Sequence, residues 1–306
     1  TLCEHGARVS FVCREDDGHL CDRIEQRGFI VCRLSVSKPG TQVGDIPTFG
    51  TELEYPWEED VDLTRAALDS LGEKPDWLVV DHYGLDTRWE TALRPYAQRV
   101  MVIDDLANRT HNCDALVNPT YRETAERYRG LLPSRACYLC GSQYALLRPQ
   151  FRRQRQPFER AFPRVEDSRV HVFFGGTDLG SYAVRFSRLL LDHVKGVTTC
   201  AVLSRSCTQY DQLRLLAGEC PGRFSWKVDV QDMAASMANC DFALGAPGGA
   251  TWERACIGLP TVYLAVSSSQ AAILERLSLN GLCVYLGMAD EVSDHAFVDG
   301  MKSFFA

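Results

Sequence analysis

Residues 243–260 read ALGAPGGATWERACIGLP: a short apolar strand, a loop holding Gly245, Gly248 and Gly249, then the start of a helix that carries Glu253. The same order recurs at residues 173–180, FFGGTDLG, where an apolar strand runs into Gly175, Gly176 and Thr177 and then into a helix. Taken singly, each segment suits a plain glycine turn at the end of a strand, and Glu253 suits an acid near a helix N-terminus. Two such loops in one half of the chain point further, to backbone amides gathered around a phosphate and to Glu253 placed for a ribose diol. Neither loop contains Gly-x-Gly-x-x-Gly, which argues against a standard NAD site.

Around these loops, short β-branched runs alternate with stretches of helical spacing. In the second half, strands are expected at residues 170–174, 198–203, 224–227, 241–244, 261–265 and 282–285, with helices at 182–193 and 231–237. The first half repeats the pattern, with strands expected at 9–13, 29–34, 77–80, 100–103, 115–117 and 135–139. Strand, helix, strand in this order predicts parallel sheets covered on both faces. Residues 151–168, rich in arginine and proline and poor in aliphatic side chains, mark a hinge. The expectation is an α/β protein of two Rossmann-type doubly wound domains, 1–150 and 169–306, with ligands held in a cleft at the carboxyl ends of the strands.

Length and composition agree with this division. At roughly 150 residues per domain, 306 residues suit two domains. Thirty-three basic and forty acidic side chains give a net charge of −7, which supplies no electrostatic footprint for a nucleic acid. The longest apolar run, residues 259–266, is far shorter than the roughly 20 residues a bilayer-spanning helix needs. Thirteen scattered cysteines and no signal-peptide stretch indicate a reducing, cytoplasmic setting.

The first half places titratable groups at expected strand ends. VVDHYG (79–84) ends a strand in Asp81, His82 and Tyr83, and VIDD (102–105) ends another in Asp105. Such groups serve proton transfer or bonds to a sugar, and equally serve as caps and turn residues. His111, Cys113, Cys137 and Cys140 are the residue types of a zinc set. Cys137 and Cys140 fall on opposite faces of a strand-like segment and no second Cys-x-x-Cys exists, so no metal is expected.

Five segments carry a resemblance: VVDHYGLDTRWE (79–90), VIDDLANRTHNCDALVNPTY (102–121), GSQYALLRPQF (141–151), FFGGTD (173–178) and GAPGGATWERACIGLP (245–260). The chain resembles, over essentially its whole length, the UDP-2,4-diacetamido-2,4,6-trideoxy-β-L-altropyranose hydrolases of pseudaminic acid biosynthesis. These share the GT-B fold of the N-acetylglucosaminyltransferase that makes lipid II. The resemblance implies a nucleotide-sugar hydrolase that needs no cofactor, with UDP bound by the second domain. Gly175, Gly176, Thr177, Gly248, Gly249 and Ala250 would surround the diphosphate and Glu253 would take the ribose. Gln270 would lie near the nucleotide, where the family often has Asn-Gln and this chain reads Ser269-Gln270. Asp81, Tyr83, Asp105 and Asn118 would lie around the sugar.

Family members open with a Gly-x-Gly-His loop whose histidine is the expected base, whereas residues 1–13 line up with the helix and strand that follow it. The sequence is therefore expected to be a fragment or to lack that base, with His82 the nearest candidate in the same domain. A UDP-sugar glycosyltransferase of the same fold and a nucleotide-sugar-binding protein without catalysis are the alternatives. Protein partners are not indicated.

Overall fold

The computed structural model describes residues 1–305 apart from 17, 36–54, 156–166, 177 and 179. The chain divides into two compact units, Thr1–Leu146 and Leu147–Ala306.

Unit 1 contains β1 (Ser10–Arg14), α1 (Cys21–Glu25), β2 (Ile30–Leu34), α2 (Trp57–Ser70), β3 (Trp77–Val80), α3 (Thr87–Leu93), β4 (Arg99–Ile103), β5 (Ala115–Asn118) and β6 (Cys137–Cys140). β1 and β2 form a parallel pair, and β3-β4-β5-β6 form a parallel four-stranded sheet. Val80 pairs with Val102, Ile103 with Val117 and Asn118 with Cys140, so the carboxyl ends of the four strands lie level. α2 buries Asp60, Val61, Thr64, Ala67 and Leu68, the spacing of one helical face. The buried Asp60 is compensated by Arg14 Nη2, 2.8 Å from Oδ2, and by the Trp89 indole and the Thr64 hydroxyl, which donate to Oδ1 at 2.8 and 3.3 Å. Removing a partner leaves a buried charge short of a bond, which is the costly way to break such a pair.

Unit 2 contains α4 (Pro149–Arg153), β7 (Ser168–Phe173), α5 (Tyr182–His193), β8 (Val197–Leu203), α6 (Tyr210–Glu219), β9 (Phe224–Val228), α7 (Met233–Ala238), β10 (Phe242–Gly245), α8 (Gly249–Cys256), β11 (Thr261–Ala265), α9 (Ser268–Leu279), β12 (Val284–Met288) and α10 (Asp294–Phe305). Its parallel sheet has the order β12-β11-β10-β7-β8-β9. The chain builds outward from β7 in one direction and then, from β10, in the other. Each half is therefore a Rossmann-type parallel α/β unit, and unit 2 has the full doubly wound order with its switch point between β7 and β10.

β10 and β11 are buried at every residue because both faces of the sheet are covered. One face packs Val170, Val172, Phe186, Leu190, Leu213 and Phe297. The other packs Met237, Ala243, Ala250, Ile257 and Leu259, together with Phe151 from α4.

Phe151 falls in the segment expected to be a hinge, yet it is fully buried in unit 2. Residues 156–166 of that segment lie outside the described residues. The last strand of each half sits about two residues later than expected. β12 is also irregular within its length: Gly287 has φ +108°, and the ladder shifts register against β11 between Tyr263 and Ala265.

Asp178 shows why α5 begins where it does. Its carboxylate accepts the amides of Tyr182 at 3.0 Å and Ala183 at 2.9 Å, satisfying two of the helix's open donors. Burial outweighs those bonds and raises its pKa from 3.8 to about 6. A carboxyl group whose pKa is higher folded than unfolded stabilises the fold most below the unfolded value, and that contribution is lost as pH rises through about 6. Between about pH 4 and about pH 7 the wild type is expected to lose about 2–3 kcal/mol relative to Asp178→Asn. Denaturant titrations of both proteins across that range check it, and parallel stability curves would contradict it.

Candidate functional site: the carboxyl edges of the two units

In unit 2, the loops after β7 and β10 leave the sheet at the switch point. Gly175, with φ +104°, makes the first turn. The Gly176 carbonyl is fixed by Ser204, which donates from its amide at 3.0 Å and from its hydroxyl at 2.7 Å. Thr177 lies outside the described residues. The amides at the start of α5 were expected to favour an anion, but Asp178 already occupies those of Tyr182 and Ala183.

The second loop differs. Gly248, at φ +127°, donates its amide to the Thr251 hydroxyl at 3.1 Å. Among the described residues nothing accepts from the amides of Gly249 and Ala250, the first two of α8. The Ala250 side chain is in the core, so only its backbone can meet a ligand. Open donors at a helix start are the usual anion-binding arrangement.

Glu253, one turn into α8, lies 3.3 Å from Arg148 Nη2, whose guanidinium sits over the ring of Phe151. This partner comes from the N-cap of α4, 105 residues earlier. Sequence reading missed it, although Arg148 lies within the quoted segment 141–151. Gln270 turns out to serve the N-terminus of α9: its Oε1 accepts from the Val266 amide at 2.9 Å, and its own amide donates to Ser267 Oγ at 3.4 Å. Only its side-chain amino group is left for a ligand.

In unit 1, the level strand ends bring Asp81, Asp104, Asp105 and Asn118 to one edge. The structure separates the two adjacent aspartates. Asp104 is buried, accepting from Arg109 Nη1 at 2.7 Å, the Ala107 amide at 2.9 Å and the Tyr128 hydroxyl at 3.1 Å. Asn118, also buried, donates to the Tyr128 hydroxyl at 2.9 Å and accepts from the Thr120 amide at 2.9 Å. Asn118 was expected beside a sugar; both ends of its amide are instead engaged in holding the strand ends together.

Asp105 is not part of that network: among the described residues its buried Oδ1 has no partner, and its charge acts on Tyr83. Loss of solvation, and after it the negative charge of Asp105, push Tyr83 up to about 12, so the phenol stays protonated near neutral pH. Asp81 is raised above the usual carboxylate range, first by partial desolvation and then by the negative charge of Asp105.

His82 is lowered, chiefly by desolvation. Its Nδ1 accepts from the Gly84 amide at 3.0 Å, which places the proton of the neutral ring on Nε2. The side chain thus presents a donor. Arg109 donates to the His82 carbonyl at 3.2 Å and to the Leu85 carbonyl at 2.8 Å, fixing this loop from below.

The other weighed residues have structural partners. His111 is buried against Glu90 Oε1 at 2.6 Å, and His19 accepts from the Cys21 amide at 3.3 Å. Among the described residues no three His, Cys, Asp or Glu side chains converge on a metal position. No helix among them is long and apolar enough to cross a membrane.

No protein-family profile matches the chain. Among curated proteins, it is 28% identical over 116 residues to the UDP-2,4-diacetamido-2,4,6-trideoxy-β-L-altropyranose hydrolase of Campylobacter jejuni, covering 38% of this chain and 40% of that protein. It is 22% identical over 191 residues to the spore coat polysaccharide biosynthesis protein SpsG of Bacillus subtilis, covering 62% of this chain and 55% of that protein. The chain thus spans about half, or less, of the length of these relatives. Among solved structures, MurG of Acinetobacter baumannii matches 100% of this chain and 84% of its own at TM-score 0.60 and 12% identity. LpCGTa, solved with UDP, matches 100% and 85% at TM-score 0.60 and 12% identity. Two parallel α/β units, the second of them doubly wound, and these whole-chain superpositions give the protein the GT-B fold.

Proposed function

We propose that the chain acts on a UDP-sugar: the edge of unit 2 suits the nucleotide, and the edge of unit 1 carries side chains suited to a sugar. On this reading it releases UDP from UDP-2,4-diacetamido-2,4,6-trideoxy-β-L-altropyranose by attack of water at C1. The observation that carries it is the switch point of unit 2, where two glycine loops meet, the amides of Gly249 and Ala250 are open, and Glu253 stands one turn away. The hydrolase of Campylobacter jejuni supports the choice of reaction and sugar.

The chemistry asks little of an acid. UDP leaves with the electron pair of the C1–O bond, and loop amides stabilise the charge it gains. Water must lose a proton as C1 gains oxocarbenium character. Asp81, exposed and with a raised pKa, is assigned as the base. Tyr83 and His82 Nε2–H are donors for the sugar's substituents, and the charge of Asp105 helps to keep the Tyr83 phenol protonated.

Incubation of the UDP-linked diacetamido-trideoxy-altrose with this chain, and with a version preceded by a Gly-x-Gly-His segment, tests the reading by NMR detection of UDP and free sugar. Release of both products is expected. UDP binding without release by either form would leave a binding protein, and release only with an acceptor present would make it a transferase.

Arg148 is assigned the orientation of Glu253 toward the ribose. Arg148→Ala is expected to weaken UDP binding by roughly tenfold and to abolish any preference for UDP over 2′-deoxy-UDP. Calorimetry with the two nucleotides checks it; an unchanged preference would remove Arg148 from the site.

A further inference from the structure

Arg254 lies on α8, one residue beyond Glu253, and is fully buried. Its Nη1 donates to the Ala246 carbonyl at 3.1 Å and its Nη2 to the Phe173 carbonyl at 3.0 Å, while its guanidinium sits 5.2 Å from the centre of the Tyr263 ring. Those two carbonyls are the last of β7 and the first after β10, so one side chain ties together the roots of both glycine loops. Its Nε has no partner, and among the described residues no carboxylate pairs with it.

A buried guanidinium with only neutral acceptors is an expensive thing for a fold to keep. Its charge is felt around it. His171 on β7 is fully buried with neither ring nitrogen bonded. Its pKa is held down to about 3 by burial first and then by the charges of Arg254 and Lys227. Among the described residues no carboxylate neutralises this charge at the switch point, and the helix that carries Arg254 begins with the open amides of Gly249 and Ala250.

We infer that Arg254 is the buried half of an anion site whose missing counter-charge is the diphosphate of the bound nucleotide. The inference rests on the proposal that unit 2 binds a nucleoside diphosphate, and it adds where the selectivity for charge comes from. Arg254 never touches the ligand; it is a positioning residue that fixes the loop roots and supplies a fixed cation beneath them. It discriminates between ligands by their phosphate charge and not by base or ribose.

The test is calorimetry of uridine, UMP, UDP and inorganic pyrophosphate with the wild type, Arg254→Gln and Arg254→Lys, with circular dichroism to establish folding. A unit charge acting across about 10 Å at an effective dielectric near 20 changes affinity by about tenfold or more. Arg254→Gln is expected to lose that factor for UDP and pyrophosphate, lose less for UMP, and keep uridine binding within about twofold. Arg254→Lys, which keeps the charge but not the two-pronged contact, is expected to retain the wild-type ratio of UDP to uridine affinity.

Equal losses for uridine and UDP in Arg254→Gln would reduce Arg254 to a structural tie and overturn the inference, as would unchanged UDP binding. Should the Gln variant fail to fold, a collapse of the UDP-to-uridine ratio in Arg254→Lys overturns it instead. A wild type that binds neither UDP nor pyrophosphate would remove the nucleotide reading of unit 2, and this inference with it.

Discussion

Gly245→Ala is expected to destabilise unit 2 by about 3 kcal/mol and to lower its thermal midpoint by about 10 °C. Gly245 ends β10 at the switch point, where backbone and side chain crowd the one place a Cβ would go. That atom would stand 1.9 Å from the Phe173 carbonyl oxygen and 2.7 Å from Arg254 Nη2. The first obstacle is main chain in the neighbouring strand and cannot swing aside. The second is a buried guanidinium already bonded to that same carbonyl. Relief requires β7 and β10 to separate, which exposes part of the two cores that the sheet divides. Gly258→Ala is the control: no heavy atom lies within 4 Å of its Cβ, so it meets only the strain of φ +68°. A calorimetric scan in which the two variants melt together would show that the strands can part cheaply and that the close approach is not what requires glycine at 245.

The alternation that located the sheets was plain in the sequence because parallel strands covered on both faces are nearly continuous apolar runs. Thr261–Ala265, buried throughout, lies where that pattern put it, as does the helix Tyr182–His193 with its apolar stripe; Trp77–Val80 is also in place, although Trp77 and Val79 are exposed. Strand ends were legible too, so the residue types at the two edges could be named. What the pattern does not contain is direction.

Asp104 and Asp105 are adjacent and chemically identical, yet one is locked among Arg109, Ala107 and Tyr128 while the other keeps a buried, unpartnered oxygen. Tyr128, which decides this, lies 24 residues from Asp104. Likewise the pairing of Arg148 with Glu253 spans 105 residues. Arg254 was not singled out from the sequence, because its significance is an absence: among the described residues no acid reaches it, and only tertiary structure reveals that. Gln270 was placed near a ligand by resemblance alone, and its oxygen proves to be engaged by the loop before α9.

The pair Asp81 and Asp105 should be separable by pH. If Asp81 takes the proton from water it must be ionised, so turnover falls as pH drops through its pKa. That pKa lies above the ordinary carboxylate range, with desolvation the larger cause and the charge of Asp105 the next. The acid limb of the rate profile is therefore expected at a higher pH than a solvated aspartate would give. Asp81→Asn removes the base and is expected to lower kcat by about 10²–10⁴-fold on the plateau above the acid limb, and to remove that limb.

Asp105→Asn does something different. It removes the neighbouring negative charge, which lets Asp81 ionise more easily and moves the acid limb to lower pH, while reducing kcat by a smaller factor. Tyr83 itself, at about 12, contributes no limb near neutrality. Rate profiles of the three proteins against the UDP-sugar distinguish these roles. An acid limb that stays in place in Asp105→Asn would mean that the titrating group is not Asp81, and an Asp81→Asn variant with near wild-type kcat would take the base away from this edge altogether.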